Sequence, residues 1–370
     1  MNPLRVLISG GGTGGHIFPA IAIANEIKKN EPNAEFLFVG ANGRMEMEKV
    51  PAAGYQIKGL DISGFQRRLT FSNFLFPFRL IISVIKARRI VKEFKPDIAI
   101  GTGGYASGPA LNAANSQGIP CIIQEQNSYP GITNKLLSKK AKYICVAYEG
   151  MNKFFPSEKI VLTGNPIRQD IYNVQEKRNE GLNYFKLDSN KKTILIIGGS
   201  LGAKTINESI ANGVEKFKDN NIQIIWQTGK SYFDVAKEIT KNLTEFNIFS
   251  FDFISRMDLA YSVADIVISR AGASSISELC AVQIPSILVP SPNVAEDHQT
   301  KNAMALANTN AALVVKDSEA IYKLTELAIE LIKNNDKQNE LKKNISGLAK
   351  YDSAKKIAEL AIKIAKENKQ

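Results

Sequence analysis

In SGGGTGGHIFPA, residues 9–20, five glycines and a threonine lead to His16, one of only two histidines in the chain. An imidazole at the mouth of a glycine loop can take a proton from an attacking hydroxyl, the general-base step of a group transfer. It can equally cap its helix or hydrogen-bond a substrate hydroxyl without moving a proton. The glycines let the backbone approach a ligand closely, and the helix start behind them offers unpaired N–H groups to phosphate. Gly10, Gly12 and Gly15 satisfy G-x-G-x-x-G, but a dinucleotide site also needs an acid at the tip of the second strand. That strand, FLFVGANGR, ends without a carboxylate. NAD is therefore disfavoured, and Arg44 leaves only an NADP variant open.

Two more loops, GTGGYASGP (101–109) and IGGSLGA (197–203), follow apolar strands in the same way. One such loop can be a tight turn and nothing more; three point to a phosphate-rich ligand set. ISRAGASSISE, residues 268–278, reads as a further anion site at a helix start, although Ser275 and Glu278 also have the S-x-x-E spacing of a capping box. No D-x-D occurs in the sequence, so a metal-bridged diphosphate is not indicated and turnover should survive a chelator. Cys121, Cys145 and Cys280 lie far apart with no C-x-x-C and no histidine at ligand spacing, which argues against a disulfide framework or a zinc site.

These loops need strands to end on. The chain has 370 residues, 44% hydrophobic and 22% charged, enough for about two domains. Short β-branched runs alternate with helical patterns: LRVLIS, FLFV, IAI, CII, YICV and IVL, then a polar stretch up to Lys192, then TILII, IQIIWQ, FNIFSF, DIVIS and PSILVP. The alternation predicts parallel α/β sheets, and the restart marks a second domain. LISGGGTGG (7–15) aligns without gaps on LIIGGSLGA (195–203), one strand, loop and helix unit used twice. The last helix carries Ile357, Leu360, Ala361 and Ile364 on one face, which must dock somewhere. MNPLRVLISG enters a strand directly, so nothing points to export. A net charge of +11 asks for an acidic partner. Without an RNP-like stretch, finger spacing or basic arm, nucleic acid is not expected.

Taken in order, GGGTGGHIFPA, GTGGYASGP, QEQNSYPGITNK, TGNPIR, IGGSLGA and RAGASSISE resemble the MurG family across essentially the whole chain. The resemblance implies the GT-B fold, two Rossmann-like doubly wound parallel-sheet domains facing across a cleft. Residues 1–165, with 351–370 returning, would form an acceptor and membrane-facing domain, and 166–350 a UDP-sugar donor domain. It implies inverting transfer of N-acetylglucosamine from UDP-N-acetylglucosamine to the muramyl 4-hydroxyl of lipid I, giving lipid II. No cofactor or metal is implied, and the enzyme would sit at the cytoplasmic face of the bacterial plasma membrane.

Residue by residue, Ser200 resembles the group bonding the donor phosphate, Ile254 the one whose backbone reads the uracil edge, and Glu278 the ribose-hydroxyl acceptor. Ala273, Ser274, Ser275, Ile276 and Ser277 resemble the helix start facing the diphosphate, with Arg270 assisting. Gln299 matches a sugar-contacting glutamine, Asn127 and Arg168 match residues that close around the donor, and Thr13, Gly14 and Gly15 complete the donor set. Gly103, Gly104 and Tyr105 fall to the acceptor. The resemblance favours His16 as base, with Glu125 as the alternative. Gln124 stands where many relatives have histidine and His298 where they have glutamine, so no acid–base role carries over to position 124.

FSNFLFPFRLIISVI, residues 71–85, is the most apolar stretch, but Pro77 and Arg79 interrupt it and it is shorter than the ~20 residues a span needs. Flanked by basic residues, it reads as an interfacial segment in which Phe71, Phe74, Phe76 and Arg79 meet an anionic membrane surface; a core helix with inward aromatics is the other reading. Rival functions are a UDP-sugar diacylglycerol glycosyltransferase, a UDP-N-acetylglucosamine 2-epimerase, and a non-catalytic sugar-nucleotide or membrane adaptor.

Overall fold

The computed structural model describes residues 3–62, 76–199 and 201–369. They fall into two compact units, Met1–Ile167 with Tyr351–Gln370, and Arg168–Lys350.

The first unit is built on an all-parallel sheet of seven strands: β1 (Arg5–Gly10), β2 (Glu35–Ala41), β3 (Gln56–Leu60), β4 (Ile98–Gly103), β5 (Cys121–Glu125), β6 (Tyr143–Val146) and β7 (Ile160–Leu162). Their order is β3-β2-β1-β4-β5-β6-β7. β1 sits inside, with Leu7 opposite Leu37 on one side and Ala99 on the other. Covered on both faces, its central Val6, Leu7 and Ile8 are all apolar instead of alternating. Val6 and Ile8 pack with Ile17, Ile23 and Ile27 of the helix Gly14–Asn30, while Leu7 joins Val39, Leu111 and Ile123 on the opposite face. The closing helix, Ser353–Lys369, buries Ile357, Ala361 and Ile364 in the first of these clusters, with Leu360 partly buried. Lys366 to Glu31 (2.6 Å) and Lys369 to Asp97 (2.9 Å) pin its outer end.

The second unit repeats the plan with β8 (Lys192–Ile197), β9 (Ile222–Gln227), β10 (Ile248–Phe251), β11 (Ile266–Ser269), β12 (Ser286–Leu288) and β13 (Leu313–Val314), in the order β10-β9-β8-β11-β12-β13, all parallel. Trp226 fills its core, and the indole N–H donates to Asn207 Oδ1 at 3.0 Å. β1 and β8 hold the same third place in their sheets, as the gapless internal alignment predicts. In each unit the strand order reverses beside that strand, between β1 and β4 in the first and between β8 and β11 in the second. Such a point is where open α/β sheets bind ligands.

Candidate active site

In the first unit the backbone of Gly12 is left-handed (φ +87°), and the helix starts at Gly14 with Thr13 as an extended N-cap whose side chain makes no capping bond. The N–H groups of Thr13, Gly14 and Gly15 meet no acceptor among the described residues. The Gly11 N–H donates to the Gly103 carbonyl at 3.3 Å, and the Gly12 N–H to Glu46 Oε2 at 2.9 Å. Glu46 is fully buried, and sequence reasoning missed it.

His16 is half-buried on the first turn of this helix. Its Nδ1 lies 2.8 Å from the Thr102 carbonyl and 3.0 Å from Gln126 Oε1. A carbonyl can only accept, so Nδ1 carries the hydrogen and Nε2 of the neutral ring holds the lone pair. No described residue bonds Nε2. A Cβ at Gly103 (φ +96°) would stand 2.9 Å from the ring's Cε1 and Nδ1, and one at Gly104 (φ +87°) would strike the Gly11 carbonyl. These two glycines thus let the second loop close on the first. Tyr105 beside them is exposed.

Glu125 is buried at the end of β5 with its oxygens occupied. Oε1 accepts from the Asn127 N–H (3.0 Å) and Nδ2 (3.1 Å), and Oε2 from the Gly131 N–H (3.2 Å) and Asn134 Nδ2 (2.8 Å). Four donors make this carboxylate the organiser of the QEQN loop.

In the second unit Ser200 lies outside the described residues; around it, Gly199 (φ +84°) and Gly202 (φ +80°) carry the loop back to the helix Lys204–Asp219. Gln227 ties this loop to the next, since its Nε2 donates to the Gly199 carbonyl (3.2 Å) and its Oε1 accepts the Ile254 N–H (2.9 Å). Ile254 therefore has its carbonyl, not its N–H, uncommitted to Gln227.

The helix Ala273–Val282 is capped by Gly272, which makes Ser275 an interior residue and overturns the capping-box reading. Glu278 does not turn back to the helix start. Its Oε2 accepts from the Tyr261 hydroxyl at 3.0 Å and its Oε1 from Arg168 Nε at 3.3 Å. Burial pushes the Glu278 carboxyl up, opposed by the Arg168 charge and the Tyr261 hydrogen bond. The Tyr261 hydroxyl is likewise pushed well up by burial and by the neighbouring carboxylate. The first intrahelical bond here is from the Ile276 N–H to the Gly272 carbonyl (2.9 Å), so the N–H groups of Ala273, Ser274 and Ser275 point ahead of the helix without a described acceptor. Ile276 faces the core, and Ser277 Oγ bonds the Ala273 carbonyl.

Arg270 is nearly enclosed. Its Nη1 donates to the Val289 (3.0 Å) and Pro290 (3.3 Å) carbonyls and pairs with Asp317. Gln299 Oε1 accepts the Ser291 N–H at 2.8 Å, after two consecutive left-handed residues, Glu296 and Asp297. Among the described residues no group of three or more His, Cys, Asp or Glu could hold a metal ion.

Phe71 and Phe74 lie outside the described residues, and Phe76 opens the helix Phe76–Phe94, on which Arg79 is exposed. That helix buries Ser83, Ala87, Ile90 and Val91 and leaves Ile81, Ile82 and Ile85 in solvent. No described helix is long and apolar enough to cross a membrane.

Residues 6–146 match the glycosyltransferase family 28 N-terminal domain and residues 193–357 its C-terminal domain. The two parallel-sheet units and their loops thus define a family 28 glycosyltransferase. A "UDP-N-acetylglucosamine--N-acetylmuramyl-(pentapeptide) pyrophosphoryl-undecaprenol N-acetylglucosamine transferase" of Parabacteroides distasonis is 56% identical, covering 98% of this chain and 99% of that protein. One of the same name from Flavobacterium psychrophilum is 55% identical over the full length of both. The crystal structure of Acinetobacter baumannii MurG superposes with a TM-score of 0.78 at 28% identity, covering 98% of this chain and 100% of that one. The chain belongs to the MurG family and has its GT-B architecture. A UDP-GlcNAc 2-epimerase from Neisseria meningitidis shares the fold alone, with a TM-score of 0.67 at 17% identity, covering 97% of this chain and 100% of that one.

Proposed function

We propose that this chain is an inverting N-acetylglucosaminyltransferase that moves N-acetylglucosamine from UDP-N-acetylglucosamine to the muramyl 4-hydroxyl of lipid I, giving lipid II for peptidoglycan synthesis. The observation that carries the reading is the full-length likeness, at 56% identity, to relatives named for this transfer. His16 Nε2 takes the proton of the 4-hydroxyl as its oxygen attacks the anomeric carbon. The bond to the UDP oxygen breaks on the opposite face, and the oxygen leaves with the electron pair. Glu125, saturated by four donors, is the poorer base. The open N–H groups of Ala273, Ser274 and Ser275 offer the departing diphosphate hydrogen bonds and the positive end of a helix dipole. Ser200 and Ile254 bind the phosphate and the uracil, and Glu278 accepts the ribose hydroxyls. Arg168, Asn127, Gln299, Thr13, Gly14 and Gly15 complete the donor set, while Gly103, Gly104 and Tyr105 serve the acceptor. Arg270, committed to Asp317 and two carbonyls, acts by holding the end of β12.

The acceptor is lipid-linked, so the chain works as a peripheral protein on the anionic cytoplasmic face of the plasma membrane. Radiolabelled UDP-N-acetylglucosamine, a lipid I analogue and product separation test the reading. Transfer to the muramyl sugar is expected. Transfer to diacylglycerol, or epimerised UDP-sugar with no transfer, overturns it.

A further inference from the structure

Three buried amides stand behind His16, and two backbone carbonyls fix which way each one faces. The Thr102 carbonyl accepts from Gln126 Nε2 at 2.6 Å, so the other end of that amide, Oε1, is the group 3.0 Å from His16 Nδ1. The Gln126 carbonyl accepts from Asn165 Nδ2 at 3.0 Å, which turns Asn165 Oδ1 toward Gln124 Nε2 at 2.8 Å. Gln124 Oε1 then receives the second hydrogen of Gln126 Nε2. Gln124, Gln126 and Asn165 are 0%, 1% and 4% exposed. Flipping any one amide would set donor against donor or acceptor against acceptor in a buried ring, where an unmet polar group is costly.

We propose that Gln126, oriented by Gln124 and Asn165, is a positioning residue that joins the Thr102 carbonyl in holding His16 as the Nδ1–H tautomer, leaving Nε2 as the proton acceptor. This rests on His16 as base and adds what sets its tautomer. Gln124 must supply one acceptor toward Gln126 and one donor toward Asn165. A neutral imidazole carries one of each, so histidine meets the same demand and leucine does not.

The test is histidine-selective 15N labelling of the full-length chain, whose two imidazoles are told apart with a His16→Gln variant. At a pH where the ring is neutral, His16 is expected as Nδ1–H; an Nε2–H ring overturns the proposal. Gln126→Met should shift part of the ring to Nε2–H and lower kcat about tenfold, with the donor KM within about twofold. An unchanged tautomer and kcat overturn the proposal. If Gln126→Met does not fold, the position 124 pair decides. Gln124→His should keep the Nδ1–H ring and Gln124→Leu should lose it, and identical spectra for the two overturn it. The tautomer is read without substrate. An Nδ1–H ring together with a fully active His16→Ala enzyme therefore overturns the base reading and leaves the positioning of the ring standing.

Discussion

The carboxylate of Glu46 lies beneath the first glycine loop, with Oε2 accepting the Gly12 N–H and Oε1 the Ala41 N–H, each at 2.9 Å. A phosphate cannot take the Gly12 N–H without displacing this buried carboxylate, whose charge would also repel it. The dinucleotide reading of G-x-G-x-x-G thus loses its central amide as well as its ribose acid. Glu46→Gln turns an NH2 group toward one of the two donors and leaves a buried N–H unmet. It should cost about 2 kcal/mol, read by calorimetry as an earlier unfolding transition. A variant that melts like the parent removes Glu46 as the loop's support.

His16→Ala should lower kcat by roughly 10²–10⁴-fold, the range of a lost general base. UDP affinity, measured by titration calorimetry, should stay almost unchanged. If UDP binding falls as far as turnover does, His16 is a binding residue.

Glu278 gives two pH dependences of opposite sign. Burial raises its carboxyl in the folded chain, so between the unfolded and folded pKa values the folded chain keeps a proton that the unfolded chain has released. Its contribution to stability is full below the unfolded pKa and is lost as pH rises through the folded one. UDP binding should run the other way, because the ionised carboxylate accepts ribose hydroxyls more strongly than the protonated group does. Calorimetric titrations from just above the ordinary carboxylate range to neutrality should show affinity rising with pH. In Glu278→Gln that slope should vanish and affinity should fall about tenfold. A slope that persists in this variant assigns the titration to another group.

What the sequence showed and hid follows from how local each signal is. The apolar centres of β1, VLI, and of β8, ILII, are buried on both faces, and unbroken apolar runs announce that without any tertiary knowledge. β3, QIKGL, escaped because it is an edge strand with Lys58 half in solvent, and β13 because it has only two residues. The helix Arg178–Phe185 lies inside a stretch that reads as polar linker. The Ser275 and Glu278 spacing misled because the helix begins at Ala273, which leaves the glutamate free to meet Tyr261 and Arg168. Glu46, 34 residues after Gly12, and the amides at 124, 126 and 165 are polar types that read as surface; their roles exist only once the sheet brings them together.

The helix Phe76–Phe94 decides where the membrane prediction should be tested. Its inner face is settled by the buried Ala87, Ile90 and Val91, yet Ile81, Ile82 and Ile85 are 58%, 56% and 61% exposed. Three isoleucines held in water beside the exposed Arg79, Lys86, Arg88 and Arg89 have the character of an interfacial helix. Each basic residue adds about 1 kcal/mol at most near an anionic surface, so attachment should be reversible and weakened by salt. The chain should co-sediment with anionic vesicles and not with zwitterionic ones. The double change Ile82→Ser and Ile85→Ser should abolish this while preserving turnover of a soluble acceptor. Because both side chains are exposed, the variant should melt like the parent, which separates lost docking from lost folding. Equal vesicle binding by parent and variant would move the docking surface elsewhere. The helix Ile132–Ser138, with Ile132 and Leu136 exposed near Lys139 and Lys140, is then the next place to cut.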